Sequence, residues 1–164
     1  MFWKAINKES KVLTDKLKQL SFKISAAESC TGGLLSSAIV NNSGSSEVFE
    51  RSFITYSNEA KINILKINNN IIEEFGAVSR QTAYHMASSL INKFNADVGI
   101  GITGIAGPNG GSKEKPVGLV WIGFGTKKNI STKKFLFSGN RLDIRLKATL
   151  ESLKELNTFL RNYP

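Results

Sequence analysis

The amino-acid sequence predicts an α/β protein in which one mixed β-sheet carries helices on both faces. Helical and strand-like segments alternate at both ends of the chain, and a β-hairpin interrupts the alternation. Hydrophobic residues make up 41% of the 164 residues, which is enough for a packed core. No linker or internal repeat divides the chain, so a single domain spanning residues 1–164 is expected.

The first half of the chain alternates between amphipathic and apolar segments. Residues 4–20 place apolar side chains at helical spacing among lysines and acids, and residues 22–27 form a short run that favours a strand. Asn58 is expected to cap the helix after the second strand, and Gly76 to end a brief helix. The predicted order is helix 4–20, strand 22–27, helix 34–41, strand 49–56, helix 59–65 and helix 71–75.

The second half begins with a helix that Ser79 is expected to cap. A buried strand then leads into the glycine-rich and proline-containing loop 104–116, and two further strands form a hairpin. The predicted order is helix 79–94, strand 97–103, strands 119–125 and 130–138, and helix 141–159.

Composition excludes several classes of site. The single cysteine, Cys30, rules out an internal disulfide, and with the single histidine, His85, it leaves a metal site without clustered ligands. The longest apolar stretch, residues 117–125, is about half the length of a bilayer span. Charged residues interrupt the N-terminal segment before a signal-peptide core forms, so a cytoplasmic location with no membrane partner is expected.

The net charge of +9 invites a nucleic-acid interpretation. The excess positive charge lies in residues 1–24 and 113–147, is mostly lysine, and is not interleaved with aromatic residues as in RNA-binding motifs. A solvated lysine surface is therefore favoured, with an anionic small-molecule site as the next alternative, and no nucleic-acid partner is expected.

The segment 27–33 (AESCTGG) lies between a predicted strand and a predicted helix. Gly32 and Gly33 would let the backbone approach a ligand closely, and free N–H groups at a helix start attract an anion. Ser29 and Thr31 add hydroxyl groups at a place where open α/β sheets bind ligands. The glycine spacing fits neither a Walker loop nor a Rossmann fingerprint, and a tight structural turn is the alternative.

Lys61 lies in the first turn of a predicted helix, just after a strand that ends at Tyr56. The positive end of a helix favours the neutral form of a lysine, and a neutral lysine can accept a proton from a serine. A surface lysine is the alternative. The segment 44–46 (GSS), taken alone, indicates a plain turn.

The loop 103–111 (TGIAGPNGG) exposes backbone amides that could contact an oxyanion or a phosphate, unless it is a mobile connector. Arg141 and Arg145 lie one helical turn apart, so both could reach one anion, or both could be surface residues. His85 is expected to be structural. Cys30 is a weak candidate nucleophile, because only His85 could activate it.

Seven motifs occur along residues 21–156: AESCTGG, GSS, ITYSNEAK, GAVS, TGIAGPNGG, KPVG and GNRxxxR. In this order they resemble the CinA C-terminal domain family, which includes stand-alone PncC-type nicotinamide mononucleotide (NMN) amidohydrolases. The resemblance implies a three-layer α/β/α sandwich with a mixed, mostly parallel sheet. It also implies hydrolysis of the NMN carboxamide to nicotinate mononucleotide and ammonia, without a metal or an organic cofactor.

The resemblance places the site on Ser29, Ser46, Tyr56, Lys61, Thr103 and one arginine. Ser29 lies at a sharp strand-to-helix turn like a nucleophile elbow and is one candidate nucleophile. Ser46 is favoured over it, because the turn that carries Ser29 is also the natural phosphate cradle. Lys61 would then be the general base and Tyr56 a proton relay, while Ser29 would bind substrate or line the oxyanion hole. The expected substrate-binding residues are Thr31, Gly32, Gly33, Thr103, Gly107, Arg141 and Arg145, with Arg141 preferred for the phosphate.

Two other functions remain open at this point. One is a non-enzymatic competence or DNA-damage-inducible accessory protein that binds a nucleotide or nucleic acid. The other is hydrolysis of a different amide or pyridine nucleotide. A homo-oligomer, most simply a symmetric dimer, is expected in either case.

Overall fold

A five-stranded sheet forms the centre of the structure, a computed structural model that describes residues 1–163. The order across the sheet is β2-β1-β3-β4-β5. β1, β2 and β3 are mutually parallel, whereas β4 runs against both β3 and β5, so four of the five strands point the same way. The predicted mixed, mostly parallel sheet is confirmed. In chain order the strands are β1 (Ile24–Glu28), β2 (Phe49–Ile54), β3 (Val98–Gly104), β4 (Leu119–Gly125) and β5 (Ile130–Leu136).

Helices cover both faces of the sheet, which confirms the three-layer architecture. They are α1 (Phe2–Leu20), α2 (Leu34–Val40), α3 (Asn58–Asn63), α4 (Asn69–Phe75), α5 (Arg80–Asn92) and α6 (Arg141–Arg161). α1, α2 and α6 enclose one core against the sheet, and α4 and α5 enclose a second core on the opposite face. Within residues 1–163, none of these helices combines the length and apolarity of a membrane span.

Glycines on two strands allow α5 to lie close to the sheet. A Cβ atom added at Gly101 would overlap the side chain of Met86, and one added at Gly123 would overlap the backbone carbonyl of Ala83. Both obstructing residues belong to α5. Any larger side chain at these two positions would push the helix away from β3 and β4.

The start of α3 differs by one residue from the prediction and determines where Lys61 points. β2 ends at Ile54, and Ser57, with extended backbone (φ −84°, ψ 162°), accepts a hydrogen bond on its side chain from the N–H of Ala60. The prediction that Asn58 caps this helix was therefore wrong, because Asn58 already lies inside it. The predicted cap of α5 is confirmed, since the Ser79 side chain accepts from the N–H of Thr82.

Candidate active site

A cavity of about 190 Å³ opens where β1, β2 and β3 end. Parallel strands of an open α/β sheet bring the residues that follow them to one edge, and such edges commonly bind ligands. Apolar side chains of Ala77, Val78 and Ala106 form part of its wall. The structure brings five of the predicted site residues to this cavity: Ser29, Tyr56, Lys61, Thr103 and Arg141.

The Lys61 side chain turns inward from α3 and is only 1% exposed. Its amine nitrogen lies 2.7 Å from the carbonyl oxygen of Thr55, 3.3 Å from that of Tyr56, and 3.2 Å from Ser29 Oγ. Burial lowers the pKa of Lys61 to about 8 from its ordinary value of 10.5, because the charged ammonium is poorly solvated there.

The three contacts of Lys61 fit both protonation states of its amine. A charged ammonium has three N–H donors, one each for the carbonyl oxygens of Thr55 and Tyr56 and for Ser29 Oγ. After losing one proton, the neutral amine keeps two N–H donors for the carbonyl oxygens, and its lone pair is then available to the hydroxyl of Ser29. In this state Lys61 can receive the hydroxyl proton of Ser29, which is the requirement for a general base.

Ser29 lies at the first position after β1, in a turn that leads to α2. Its N–H donates to the carbonyl of Ile102 on β3, and its own carbonyl accepts the N–H of Gly32. Gly32 (φ 57°) and Gly33 (φ 96°) are in the left-handed region, which glycine adopts at little cost. The sharp turn presents the hydroxyl of Ser29 to the cavity while the side chain stays 7% exposed.

The Glu28 carboxylate occupies the start of α2, and this observation bears on a sequence-based expectation. It accepts hydrogen bonds from the Thr31 hydroxyl at 2.7 Å and from the N–H groups of Gly33, Leu35 and Ser36 at 2.9–3.2 Å. These bonds argue against the prediction that Thr31, Gly32 and Gly33 cradle a substrate phosphate. The donors at this helix start are already used by an anion of the chain itself.

The two arginines of the GNRxxxR motif have different surroundings. Arg141 lines the cavity, and its guanidinium donates to the hydroxyl oxygen of Tyr56 at 2.8 Å and to the carbonyl of Gly107. Arg145 instead donates to the carbonyls of Cys30 and Thr31, both at 3.0 Å. These two bonds, with the absence of Arg145 from the cavity lining, argue against its expected contact with a phosphate. Gly107 serves through its carbonyl as a support for Arg141.

Ser46 lies far from Lys61, which contradicts its expected place beside the lysine. It is exposed, in a short 3₁₀ turn (Ser45–Glu47) that precedes β2, whereas Lys61 follows the same strand. The six residues of β2 span roughly 20 Å at about 3.3 Å per residue, so its ends lie at opposite edges of the sheet. The strand length between Ser46 and Tyr56 was the sequence signal that could have excluded this pairing.

The surroundings of three further candidate residues, Thr103, Cys30 and His85, bear on their predicted roles. The Thr103 hydroxyl donates to the carbonyl of Ala77 at 2.7 Å, so it holds the cavity wall formed by the GAVS segment. Burial raises the pKa of the Cys30 thiol to about 12, which disfavours the thiolate that a nucleophile requires. His85 lies outside the cavity on α5, where burial and then Lys93 lower its pKa. In residues 1–163 no group of three or more metal-ligating side chains is found.

Comparison with known proteins decides the family. The family model described as the CinA C-terminal domain matches residues 6–160. The chain belongs to the CinA C-terminal domain family. This CinA-type chain is 46% identical over 148 residues to the nicotinamide-nucleotide amidohydrolase PncC of Enterobacter agglomerans, covering 89% of this chain and 90% of that protein. Its fold matches the competence/damage inducible protein CihA of Agrobacterium tumefaciens with a TM-score of 0.92, at 38% identity over 94% of this chain and 95% of that one.

Many relatives of this CinA-type chain are longer. It is 47% identical over 151 residues to a CinA-like protein of Dictyoglomus thermophilum, covering 92% of this chain but 37% of the relative. The chain spans the same share, 37%, of two further curated relatives from Caldicellulosiruptor species. The PncC protein, by contrast, matches it along nearly its whole length.

Proposed function

We propose that this CinA-type chain hydrolyses the carboxamide of NMN to nicotinate mononucleotide and ammonia, with Ser29 as the nucleophile and Lys61 as the general base. The observation that carries the proposal is the buried contact of 3.2 Å between Lys61 Nζ and Ser29 Oγ inside the cavity. The near full-length similarity to an amidohydrolase of nicotinamide nucleotides supports the substrate class.

The proposed reaction proceeds through an ester on Ser29. The Ser29 oxygen forms a bond to the carboxamide carbon while its proton passes to Lys61, and Lys61 then returns the proton to the leaving nitrogen, which departs as ammonia. Water then forms a bond to the ester carbon while Lys61 takes its proton. The bond to Ser29 Oγ breaks, Lys61 returns the proton to Ser29, and the carboxylate product is released. In both steps, formation of the ester and its hydrolysis, Ser29 and Lys61 are the only side chains that take part in the proposed proton transfers.

Arg141 is the proposed contact for the substrate phosphate. Apart from Lys61 it supplies the positive charge of the cavity, and no carboxylate is among the side chains that line it in residues 1–163. Each terminal nitrogen of its guanidinium has a second N–H beyond the bonds to Tyr56 and Gly107. Tyr56 is proposed to orient Arg141 through its hydroxyl, and it also lines the cavity beside Ser29 and Lys61.

The decisive test compares two serine variants. Ser29→Ala is expected to lower kcat for ammonia release from NMN by roughly three or more orders of magnitude, as when a catalytic serine is removed. Ser46→Ala is the matched control, since it makes the same change at an exposed position outside the cavity, and its kcat should equal that of the unaltered chain. Full activity of Ser29→Ala, or loss of activity in Ser46→Ala alone, would contradict the assignment.

The same assay separates the alternatives. Glutamine and nicotinamide are included as substrates that lack the nucleotide, and release of ammonia from either at the NMN rate would point to another amidase. A non-catalytic accessory role would leave NMN unchanged. The expected homodimer stays a prediction that light scattering on the purified chain can check.

A further inference from the structure

Two charged side chains hold the turn that carries Ser29 without lining the cavity themselves. Glu28 precedes Ser29 directly and is 0% exposed, and Arg145 reaches the turn from α6. They contact opposite sides of the turn: Glu28 accepts from its donors, and Arg145 donates to its carbonyls.

The surroundings of Glu28 require an acceptor at both carboxylate oxygens. One oxygen accepts from the hydroxyl of Thr31 and from two backbone N–H groups, and the other accepts from the N–H and the hydroxyl of Ser36 at 2.9 and 2.5 Å. A carboxylate only accepts, whereas a glutamine would turn an NH₂ group toward one of these sets of donors. A buried donor left facing another donor is destabilising, so the turn would shift to relieve it.

Arg145 donates hydrogen bonds to the backbone carbonyl oxygens of the same turn. Its Nε donates to the carbonyl of Cys30 and a terminal nitrogen donates to the carbonyl of Thr31, both at 3.0 Å. A planar guanidinium can make these two bonds in parallel, whereas a lysine ammonium has no fixed fork. Since Arg145 is 115 positions beyond Cys30, this contact ties the turn to the helical layer behind it.

We propose that Glu28 and Arg145 are positioning residues that fix the turn so that the Ser29 hydroxyl stays at the Lys61 amine. The inference deepens the proposed function and rests on it, because it assumes that Ser29 is the attacking group. Neither side chain touches the cavity, so neither is assigned a contact with substrate. The proposal also explains why the backbone N–H groups at the start of α2 do not serve a ligand, since they donate to the carboxylate of Glu28.

The experiment measures serine reactivity separately from NMN hydrolysis. A fluorophosphonate probe labels an activated serine regardless of substrate, and intact-mass analysis follows its rate. Glu28→Gln is expected to lower both the labelling rate and kcat for NMN by about a hundredfold or more while changing KM by less than about threefold, because binding groups are untouched. Arg145→Lys should lower both rates by roughly tenfold. Glu74→Gln and Arg161→Lys make the same changes at exposed positions and should have no effect.

Two readouts separate positioning from loss of stability. Loosening the turn admits water to Lys61, so the midpoint of the labelling rate against pH should move upward from about 8 in the variants. Ile91→Val on α5 removes one buried methylene away from the Ser29 turn, and it should lower Tm without moving that midpoint.

The outcomes of these measurements test the positioning role and the proposed substrate separately. The positioning role would be overturned if Glu28→Gln or Arg145→Lys is folded, as judged by circular dichroism, and is labelled by the probe at the same rate as the unaltered chain. If Glu28→Gln does not fold, Glu28→Asp and Arg145→Lys carry the test. Labelling that depends on Glu28, in a chain that leaves NMN intact, would refute the proposed substrate and keep the positioning role.

Discussion

Lys61 can act as a base only in the fraction of molecules whose amine is neutral. With a pKa of about 8, that fraction is small at pH 6 and nearly complete at pH 9. A lysine with its ordinary pKa would stay charged over this range, so the burial that lowers the pKa is part of the proposed chemistry. The neighbouring Cys30 thiol is unsuited to this task, because burial raises its pKa to about 12.

The rate should therefore follow the deprotonation of Lys61. We expect kcat/KM to rise about tenfold per pH unit below pH 8 and to level off above it. Lys61→Arg should lower kcat by roughly two to four orders of magnitude, since arginine does not give up its proton. Stopped ammonia assays from pH 6 to 10 measure both effects, with Lys66→Arg as the control at an exposed lysine. A flat pH profile would contradict the role of Lys61 as base.

We expect Arg141 to affect binding of the substrate rather than the chemical step. Removing its guanidinium in Arg141→Ala should raise KM for NMN by about tenfold or more and change kcat little, because a charge-assisted contact is lost. Nicotinamide riboside, which lacks the phosphate, should be a poor substrate of the unaltered chain and should lose little further in the variant. Equal KM values for NMN in the two proteins would place the phosphate elsewhere.

At the scale of secondary-structure elements, the site depends on how closely α5 packs on the sheet. The segment between α4 and α5 supplies Ala77 and Val78 to the cavity wall, and Thr103 at the end of β3 holds it. Glycines at the contact set this spacing, since a side chain at Gly123 would meet the backbone of α5. The position of the wall is thus determined by the contact between α5 and the sheet.

Gly123→Ala tests this packing directly. The added methyl group meets a backbone carbonyl rather than a flexible side chain, so we expect the free energy of unfolding to fall by about 1–3 kcal/mol, as for other overpacked cores. Urea titration followed by circular dichroism measures the change. Gly110→Ala, where the added methyl group meets only the Ile105 side chain at 3.8 Å but φ is positive (90°), measures the cost of a strained backbone without overpacking. A loss well below about 1 kcal/mol in Gly123→Ala would show that α5 can move.

For the whole molecule, the sequence predicted the layers and the strands correctly because hydrophobic periodicity and caps such as Ser79 are local signals. It also placed Ser29, Tyr56 and Lys61 after strands that turned out to be parallel neighbours. What it missed depends on tertiary contacts. Glu28 looks like any polar residue at a strand end until α2 folds back over its carboxylate, and Arg145 is separated from its carbonyl partners by more than a hundred positions.

The free energy of unfolding of the whole chain should depend on pH because of the same buried lysine, Lys61. The unfolded chain binds a proton at Lys61 up to pH 10.5 and the folded chain only up to about 8, so the unfolded state holds more protons between these values. The free energy of unfolding should therefore rise with pH through this window, and the contribution of Lys61 should be least favourable below pH 8. Lys61→Met removes the charge, so its stability relative to the unaltered chain should be highest at pH 7 and should fall by about 2–3 kcal/mol between pH 7 and pH 10.

The measurement compares urea midpoints of the two proteins at pH 7 and pH 10. The advantage of Lys61→Met should shrink as pH rises, because the unaltered chain no longer has to bury a charge. Lys8→Met makes the same change at an exposed position of α1 and should show no such trend. A constant difference between Lys61→Met and the unaltered chain across this range would mean that Lys61 stays charged when folded. The proton transfer from Ser29 would then need another acceptor.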